Sequence, residues 1–388
     1  MAAKEEVYGF FIPTVTLMGI GAHKELCNQM KSLGVSKPFI VADKGITACG
    51  LTKQICDLLK EGMGADAVVY DETIPNPTDK NVAEGVAIYE KSGCDMIITL
   101  GGGSSHDCGK GIGIVSTNGG RIHDFEGVDK STKAMPPFIA INTTAGTGSE
   151  MTRFCIITDT SRKVKMAIVD WRVTPAIAIN DPLLMMGMPS ALTAATGMDA
   201  LTHSVEAYVS TIATPVTDAC AIKSIELIAD NLRQAVANGQ DVVARDNMAY
   251  AEYLAGMAFN NASLGHVHAM AHQLGGYYDL PHGVCNAILL PHVSQFNLIA
   301  KLDRFADIAV ALGENIDGLS TRDAADKALE AIRKLSADVG IPSNLTELGV
   351  KKEDLKIMAE NAQKDACGLT NPRTPTLDDV IGIYTAAL

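Results

Sequence analysis

The stretch DMIITLGGGSSHDCGKG (95–111) joins an apolar, strand-like run to a glycine turn and then to a helical segment. Three other β-branched runs also end in Gly, Asp or turn residues: KPFIVAD (37–43), DAVVYD (66–71) and PFIAINTTAGTGSE (137–150). Amphipathic segments such as NVAEGVAIYEKSG (81–93) separate them. Strands that alternate with helices predict βαβ units and a mostly parallel sheet.

The pattern changes after PLLMMGMP (182–189). Shorter strand-like runs come before it, expected at a sheet edge or in a hairpin: CIITD (155–159), KMAIVD (165–170) and AIAIND (176–181). After it the sequence is rich in Ala, Leu and Met with helical periodicity. We therefore predict two domains, an α/β domain over 1–185 and an all-α domain over 186–388.

The bulk composition narrows the class of protein. A chain of 388 residues with 47% apolar and 20% charged residues is a globular composition large enough for two cores. A net charge of −13 argues against nucleic acid or an anionic membrane as partner. No apolar run is long enough to span a membrane, and MAAKEEVYGF (1–10) lacks a secretory apolar region. We expect a soluble, cytoplasmic protein.

The nine cysteines are odd in number, scattered, and contain no Cys-x-x-Cys pair. This pattern indicates neither a disulfide framework nor a thiolate zinc site. Most are expected to be small core residues in a reducing compartment. Cys367 can approach a pocket, although a catalytic thiol is the weaker interpretation.

The glycine turn GGGSSHDCGKG (101–111) places backbone N–H groups at a helix N-terminus, where a phosphate binds well. It departs from Gly-x-Gly-x-x-Gly because His106 stands where that motif has its last glycine. It departs from the P-loop because Ser104 stands where that motif has its first glycine. The nearest strand-terminal acid, Asp43, comes 58 residues before Gly101, whereas a standard dinucleotide fold has its acid after the glycines. We therefore predict phosphate binding on a non-classical, Rossmann-like topology, with a purely structural turn as the alternative.

Two further turns carry polar side chains at strand ends. The turn TTAGTGSE (143–150) offers hydroxyls that can donate to phosphate or ribose oxygens, or merely cap the next turn, from Thr143, Thr144 and Thr147. The turn PNPT (75–78) is rigid, and its Asn76 can reach a cofactor or be structural.

Six of the nine histidines lie between His203 and His292. Five of the six lie in GMDALTHSVEAY (197–208), GHVHAMAHQLGG (265–276) and PHG (281–283). Asp199 and His203 are four residues apart in a helical stretch, as are His268 and His272. Positions i and i+4 share one helix face, so each pair can point two side chains at one spot.

His282 is expected in a Pro-His-Gly turn, where the backbone holds the ring. One carboxylate and three imidazoles suit a divalent transition metal, Fe(II) or Zn(II), with a position open for substrate. The alternative for each histidine alone is a hydrogen-bonded core residue.

Several motifs together carry a resemblance over essentially the whole chain: GGGSSHDCGKGIG, AINTTAGTGSEMTRF, TAATGMDALTHSVEAY, AGMAFNNASLGHVHAMAHQLGG, DLPHGVCNAILLPHV and TNPR. In this order they resemble the iron-containing (group III) alcohol dehydrogenases, within the branch of NAD-dependent methanol, ethanol and 1,3-propanediol dehydrogenases. The resemblance implies a fold shared with dehydroquinate synthase and glycerol dehydrogenase, in which the α/β domain binds the dinucleotide.

The resemblance also implies roles for individual residues. The implied metal ligands are Asp199, His203, His268 and His282. His272 matches a histidine assigned to proton relay or substrate orientation, and the implied catalytic residues are Asp199, His268 and His272. Asp43 matches the acid that holds the adenosine ribose and disfavours NADP. Besides it, the cofactor contacts are Asn76, Gly101, Gly102, Gly103, Ser104, Asp107, Thr143, Thr147 and Lys165, with Thr144 added from its turn; Lys110 matches a polar residue beside the cofactor.

Phe259 matches a wall of the substrate pocket, as does Phe154, which stands where some diol-using relatives carry a polar residue. That departure weakens any expectation of diol specificity. His266 is not in the implied ligand set.

The expected activity is metal-assisted hydride transfer between a small primary alcohol and NAD, reversible to aldehyde reduction. The family implies Fe(II), with Zn(II) or another divalent ion as alternatives. A cyclase or lyase of the dehydroquinate synthase type, or a glycerol dehydrogenase-like enzyme, remains the alternative. A phosphorylated, carboxylated substrate would need pocket cations, yet residues 251–300 contain no Arg or Lys. A homo-oligomer, either a dimer or a ring of dimers, is expected.

Overall fold

The computed structural model describes residues 9–12 and 14–388. Residues 1–8, most of the segment predicted to lack a secretory region, lie outside the described residues. The strands are β1 (Val15–Met18), β2 (Pro38–Asp43), β3 (Val68–Thr73), β4 (Met96–Gly101), β5 (Gly127–Val128), β6 (Phe138–Asn142), β7 (Phe154–Asp159), β8 (Val164–Val169) and β9 (Ile177–Asn180).

The helices fall into two groups along the chain. Those among or directly after the strands are α1 (Leu26–Leu33), α2 (Lys44–Ala48), α3 (Leu51–Met63), α4 (Asp79–Ser92), α5 (Gly103–Asn118) and α6 (Pro182–Met185). The later ones are α7 (Ser190–Val209), α8 (Pro215–Ala237), α9 (Val242–Ala262), α10 (His266–Tyr278), α11 (His282–Asn297), α12 (Leu302–Ala311), α13 (Thr321–Asp338), α14 (Leu355–Ala362) and α15 (Leu377–Ala386). Short 3₁₀ helices cover Ala22–Glu25, Ile122–Phe125, Trp171–Val173, Leu298–Ala300, Thr346–Leu348, Lys352–Asp354 and Ala366–Thr370.

A six-stranded parallel sheet forms the first layer, in the order β1-β9-β6-β4-β2-β3. Its central strands β4, β6 and β9 are buried along their whole length, as expected for a parallel sheet covered on both faces. Alternate residues enter separate cores: Phe39 and Ile97 pack on one face, and Ile40 and Ile98 on the other. The predicted parallel sheet is confirmed.

A small second sheet, in the order β5-β8-β7, holds the antiparallel hairpin of β7 and β8. The expectation of an edge or hairpin position was wrong for AIAIND, because β9 lies between β1 and β6 inside the main sheet. The order of strands along the chain does not specify their order in the sheet, and a four-residue strand is too short for its pattern to show whether it is central or at an edge. The edge strand β1 was not predicted at all.

The second layer is helical, and within residues 186–388 the structure contains no strand. Helices α7, α8, α9 and α11 pack around one apolar core that is rich in alanine. The predicted fold class, an α/β part followed by an all-α part, is confirmed. The division between residues 185 and 186 stays a prediction. In the part of the chain that is described, no helix is both long and apolar enough to cross a membrane.

Candidate active site

The glycine turn begins at the carboxyl end of β4 and opens α5, as the sequence predicted. A Cβ at Gly102 would lie 2.7 Å from the Thr144 side chain, and a Cβ at Gly103 would lie 2.7 Å from that of Thr147. Only glycine fits both positions. The cap residue Gly102 has no side chain to satisfy the first N–H groups of α5, so these donors remain for a ligand.

Asp43 and the glycine turn lie side by side although 58 residues separate them, because β2 and β4 are neighbours in the sheet. A Cβ at Gly101, where φ is +147°, would lie 3.7 Å from Asp43 Oδ2. The other carboxylate oxygen, Oδ1, accepts a hydrogen bond from Ile46 N at 2.9 Å. Carboxyl ends of parallel strands are where dinucleotides bind in open α/β sheets.

The turn after β6 links the glycine turn to the helical layer. Thr143 N donates to Gly101 O at 3.0 Å, and Thr144 N donates to Asn142 Oδ1 at 3.1 Å. On the other side, Gly148 N donates to the buried Glu252 of α9 at 2.6 Å. These contacts fix the turn between the two layers.

Asp199, His268 and His282 come together from α7, α10 and α11, with one donor atom of each within 4.8 Å of the others. His282 is the first residue of α11 rather than part of a turn, so a helix start holds its ring. Asn286, one helical turn further along, points its Nδ2 at all three: 2.7 Å from Asp199 Oδ1 and 3.1 Å from the Nε2 atoms of His268 and His282.

This arrangement suits a cation. Three acceptor atoms converge on one amide nitrogen that carries only two protons, so the amide cannot satisfy all three, whereas a cation at this place could. Among the described residues, the buried Asn286 Oδ1 and His282 Nδ1 have no hydrogen-bond partner. Burial lowers the pKa of His268 to about 3 and that of His282 well below its ordinary value, so both rings are neutral and can ligate.

His203, the fourth residue expected to be a ligand, lies beside this three-residue cluster. Its ring stacks between Phe259 and His268, with centroid distances of 4.3 and 4.6 Å. His203 Nδ1 lies 3.1 Å from Gly146 O, which leaves Nε2 as the second ring nitrogen. Burial lowers the pKa of His203 to about 4. Its role as a ligand stays a prediction.

Glu206 was missed from the sequence. Its Oε2 lies 2.6 Å from His268 Nδ1, and its Oε1 accepts from Val267 N at 2.6 Å. Burial raises the pKa of Glu206 to about 7. A carboxylate on the far nitrogen of a ligating histidine fixes its tautomer and orientation. The signal was present, because Glu206 follows Asp199 by seven residues and thus shares its helix face.

His272 is held by a second carboxylate that the sequence did not reveal. His272 Nδ1 lies 2.8 Å from Asp365 Oδ2, and the His272 ring stacks 5.5 Å from that of His282. A neutral imidazole that donates Nδ1–H to Asp365 presents an unprotonated Nε2. Asp365 is 93 residues away in the chain, so no spacing predicts the contact.

A cavity of about 400 Å³ brings most of the predicted residues together. Those on its wall are Asn76, Gly103, Ser104, Asp107, Thr147, Phe154, Lys165, Asp199, His203, Phe259, His268, His272 and His282. Asp43, Gly101, Gly102, Thr143 and Thr144 are not on the wall and lie around the glycine turn behind it. One cavity is therefore bounded by both the glycine turn and the histidine cluster.

Some predicted cofactor contacts already have protein partners. Asp107 accepts from Ser149 Oγ at 2.7 Å and from Ile156 N at 3.1 Å. Asn76 donates to Asp279 at 2.8 Å. Lys110 is fully buried and donates to Ser149 and two backbone carbonyls, so it braces the turn instead of lining the cavity.

Comparison with known proteins agrees with this architecture. The model of the iron-containing alcohol dehydrogenases matches residues 13–182, and that of the C-terminal part of the Fe-containing alcohol dehydrogenase family matches residues 193–388. The chain belongs to the iron-containing alcohol dehydrogenase family.

Curated relatives match the chain over nearly its full length. A 1,3-propanediol dehydrogenase of Citrobacter freundii is 54% identical over 383 residues, covering 98% of this chain and 99% of the relative. An NAD-dependent methanol dehydrogenase of Bacillus methanolicus is 49% identical over 379 residues, with the same coverage. A crystal structure of a 1,3-propanediol oxidoreductase matches with a TM-score of 0.96 and 52% identity, covering 99% of this chain and all of that one.

Proposed function

We propose that this chain is an NAD-dependent, metal-containing alcohol dehydrogenase that interconverts a small primary alcohol and its aldehyde. The observation that carries the proposal is one cavity whose wall includes Gly103 and Ser104 of the glycine turn as well as Asp199, His268 and His282. Relatives named 1,3-propanediol dehydrogenase and NAD-dependent methanol dehydrogenase support the methanol, ethanol, propanol and 1,3-propanediol class of substrate.

When bound, a divalent cation would supply Lewis-acid chemistry at the alcohol oxygen and NAD would supply the hydride acceptor. Asp199, His203, His268 and His282 would hold the cation. Because the three imidazoles are neutral, Asp199 would bring the only ligand charge, and the site with a divalent cation in place would be net positive.

The remaining steps belong to the protein. His272 Nε2 accepts the hydroxyl proton, while Asp365 holds Nδ1 and stabilises the imidazolium that forms. Gly101–Ser104 and the first N–H groups of α5 bind the pyrophosphate, and Asp43 accepts from the adenosine ribose. Phe154 and Phe259, with ring centroids 5.6 Å apart, exclude water from one wall.

The lining of the cavity favours an uncharged substrate. Val128, Ile156 and Leu264 extend the apolar wall that the two phenylalanines begin. The described wall carries two cationic side chains, Arg153 and Lys165. The guanidinium of Arg153 lies 4.1 Å from the ring centroid of Phe11. A phosphorylated, carboxylated substrate of the cyclase type would need several free cations.

We propose Fe(II) as the metal, from the family and a donor set without sulfur, with Zn(II) or another divalent ion as the alternative. We also propose a cytoplasmic homo-oligomer, a dimer or ring of dimers, from the composition and the resemblance. Light scattering on the purified protein measures the subunit number directly.

The test is anaerobic purification, elemental analysis, and an NADH assay with C1–C4 alcohols, 1,3-propanediol and glycerol. About one metal per chain with alcohol-dependent NADH formation supports the proposal. Asp199→Ala and His268→Ala should lose metal and activity while keeping wild-type circular dichroism. Bound metal and NAD without turnover of any alcohol would refute it and favour the cyclase alternative.

A further inference from the structure

A second group of metal-type donors lies beside the first. One donor atom each of His272, Asp365 and Cys367 lie within 4.8 Å of one another. His272 and Cys367 line the cavity, and both are less than a tenth exposed. Asp365 joins the other two: Oδ2 lies 2.8 Å from His272 Nδ1, and Oδ1 accepts from Cys367 N at 2.9 Å.

We propose that His272, Asp365 and Cys367 form a second, inhibitory cation site that takes a thiophilic divalent ion such as Cd(II) or Zn(II). The three donors are an imidazole nitrogen, a carboxylate oxygen and a free thiol, a mixture that suits such ions. The cluster of Asp199, His268 and His282 offers no sulfur, so a strongly thiophilic ion such as Cd(II) should prefer the second site.

The charges of the group allow a cation close to the first site. Burial opposes ionisation of Asp365, but hydrogen bonds from His272 and from the Cys367 backbone help to lower the pKa of this carboxyl, which is therefore anionic. Burial raises the pKa of the Cys367 thiol well above its ordinary value, so the thiol is protonated until a cation binds.

Binding forms metal bonds to the Cys367 sulfur, an Asp365 oxygen and His272 Nδ1, with no change of oxidation state. The Cys367 S–H bond breaks and its proton goes to solvent, while the proton that Nδ1 gave to Asp365 is replaced by one on Nε2, so the ring stays neutral. The dication then meets one carboxylate and one thiolate, so the filled site is neutral and adds no net repulsion to the first.

Occupation of the site would inhibit the enzyme. A ring nitrogen of His272 and its Asp365 partner would be engaged by the cation, so His272 could no longer accept the alcohol proton. This consequence rests on the proposed function, whereas cation binding itself does not. A purely orienting role of Asp365 toward His272 is the simpler alternative, and it predicts no thiophilic ion at this place.

The test is titration of the iron-loaded enzyme with Cd²⁺ under anaerobic conditions. Three quantities are followed: the ultraviolet cadmium–thiolate charge-transfer absorption, the iron retained after desalting, and the rate of alcohol oxidation relative to the same protein without cadmium. Cys367→Ser is the test variant. Cys220→Ser, which removes a partly exposed thiol on α8, is the matched control.

We expect wild type and Cys220→Ser to gain the same absorption and lose activity together while iron stays bound. Cys367→Ser should lose that component of the absorption and need at least about tenfold more cadmium for half-inhibition. Asp365→Asn keeps the thiol but loses the anionic ligand, and its absorption midpoint should move by a similar factor, whatever its activity.

Inhibition that tracks iron loss, or an unchanged cadmium response in Cys367→Ser, would overturn the second site. If Cys367→Ser does not fold, an unchanged absorption midpoint in Asp365→Asn overturns it equally. Cadmium binding at Cys367 in a protein that turns over no alcohol would leave the site standing and refute only the proposed function.

Discussion

Replacing Glu206 by Gln keeps the shape of the side chain but turns one of its two oxygen acceptors, which hold His268 and the neighbouring backbone, into an NH₂ donor. In the native protein both carboxylate oxygens are used, one by His268 Nδ1 and one by Val267 N, each at 2.6 Å. A Gln amide offers one acceptor and one donor. If its oxygen faces Val267, its NH₂ faces Nδ1, and the ring proton must move to Nε2, the atom directed at Asp199 and His282.

The opposite amide orientation places NH₂ against Val267 N–H, and an unsatisfied buried donor costs about 1–3 kcal/mol. Loss of such an outer partner of a metal-binding histidine lowers affinity roughly 10–100-fold, or about 1.4–2.8 kcal/mol. We therefore expect Glu206→Gln to weaken metal binding by one to two orders of magnitude and to lower activity at limiting metal.

The assay is competition between the protein and a chelator of known affinity, with bound metal measured by elemental analysis. Glu226→Gln, on the exposed side of α8 where Glu226 pairs with Lys223 at 3.0 Å, is the control and should bind metal as wild type does. A folded Glu206→Gln protein with metal affinity within twofold of wild type would show that this carboxylate does not orient His268.

Asp43→Ser should raise kcat/KM with NADP relative to NAD by about tenfold, since it removes a negative charge from the position expected to meet the 2′-phosphate; an unchanged ratio would remove Asp43 from the ribose site. Gly103→Ala should raise KM for NAD about tenfold with metal content unchanged, because its Cβ would lie 2.7 Å from Thr147 Cγ2. Adding Thr147→Ser removes that methyl group and should restore part of the lost affinity for NAD. An unchanged KM in Gly103→Ala would place the pyrophosphate elsewhere. Burial lowers the pKa of His106 from 6.5 to about 3, so the unfolded chain binds more protons between these values, and stability present above pH 6.5 is lost as the pH falls toward 3. At pH 5 this loss of stability is about 2 kcal/mol. His106→Asn can keep the hydrogen bond to Thr99, and its melting temperature should fall less steeply between pH 7 and 5 than that of wild type. Equal falls in the two melting temperatures would contradict the prediction.

The sequence predicted those parts of the fold that local pattern specifies. Strands β2, β3, β4 and β6 and helix α5 fall where apolar runs and the glycine turn indicated. The position of β9 could not be predicted, because pairing with β1 and β6 depends on contacts between segments far apart in sequence. The same sheet order explains how Asp43 meets Gly101, which spacing alone presented as a departure from standard folds.

The candidate site divides in the same way. Pairs four residues apart on one helix could be read from the sequence. Residues four or seven apart share a helix face, so the same reasoning would have found Asn286 from His282 and Glu206 from Asp199, although neither was inferred. Asp365 was beyond such reasoning, because it approaches His272 from the N-cap position of a 3₁₀ helix, 93 residues further along the chain. A motif search finds atoms that ligate, but not the partners that decide which ring nitrogen carries the proton.

Those partners distinguish the two roles proposed for histidines of one helix. His268 and His272 lie one turn apart on α10, and each gives its Nδ1 to a different carboxylate, Glu206 from α7 and Asp365 from the C-terminal region. Both rings therefore have Nε2 as the nitrogen not held by a carboxylate, which the proposed mechanism uses for metal binding at His268 and for proton transfer at His272. Since the two carboxylates come from separate elements and share no hydrogen bond, loss of Glu206 should act on metal affinity and loss of Asp365 on proton transfer. The helix thus fixes the distance between the two proposed roles, while a different carboxylate holds each ring.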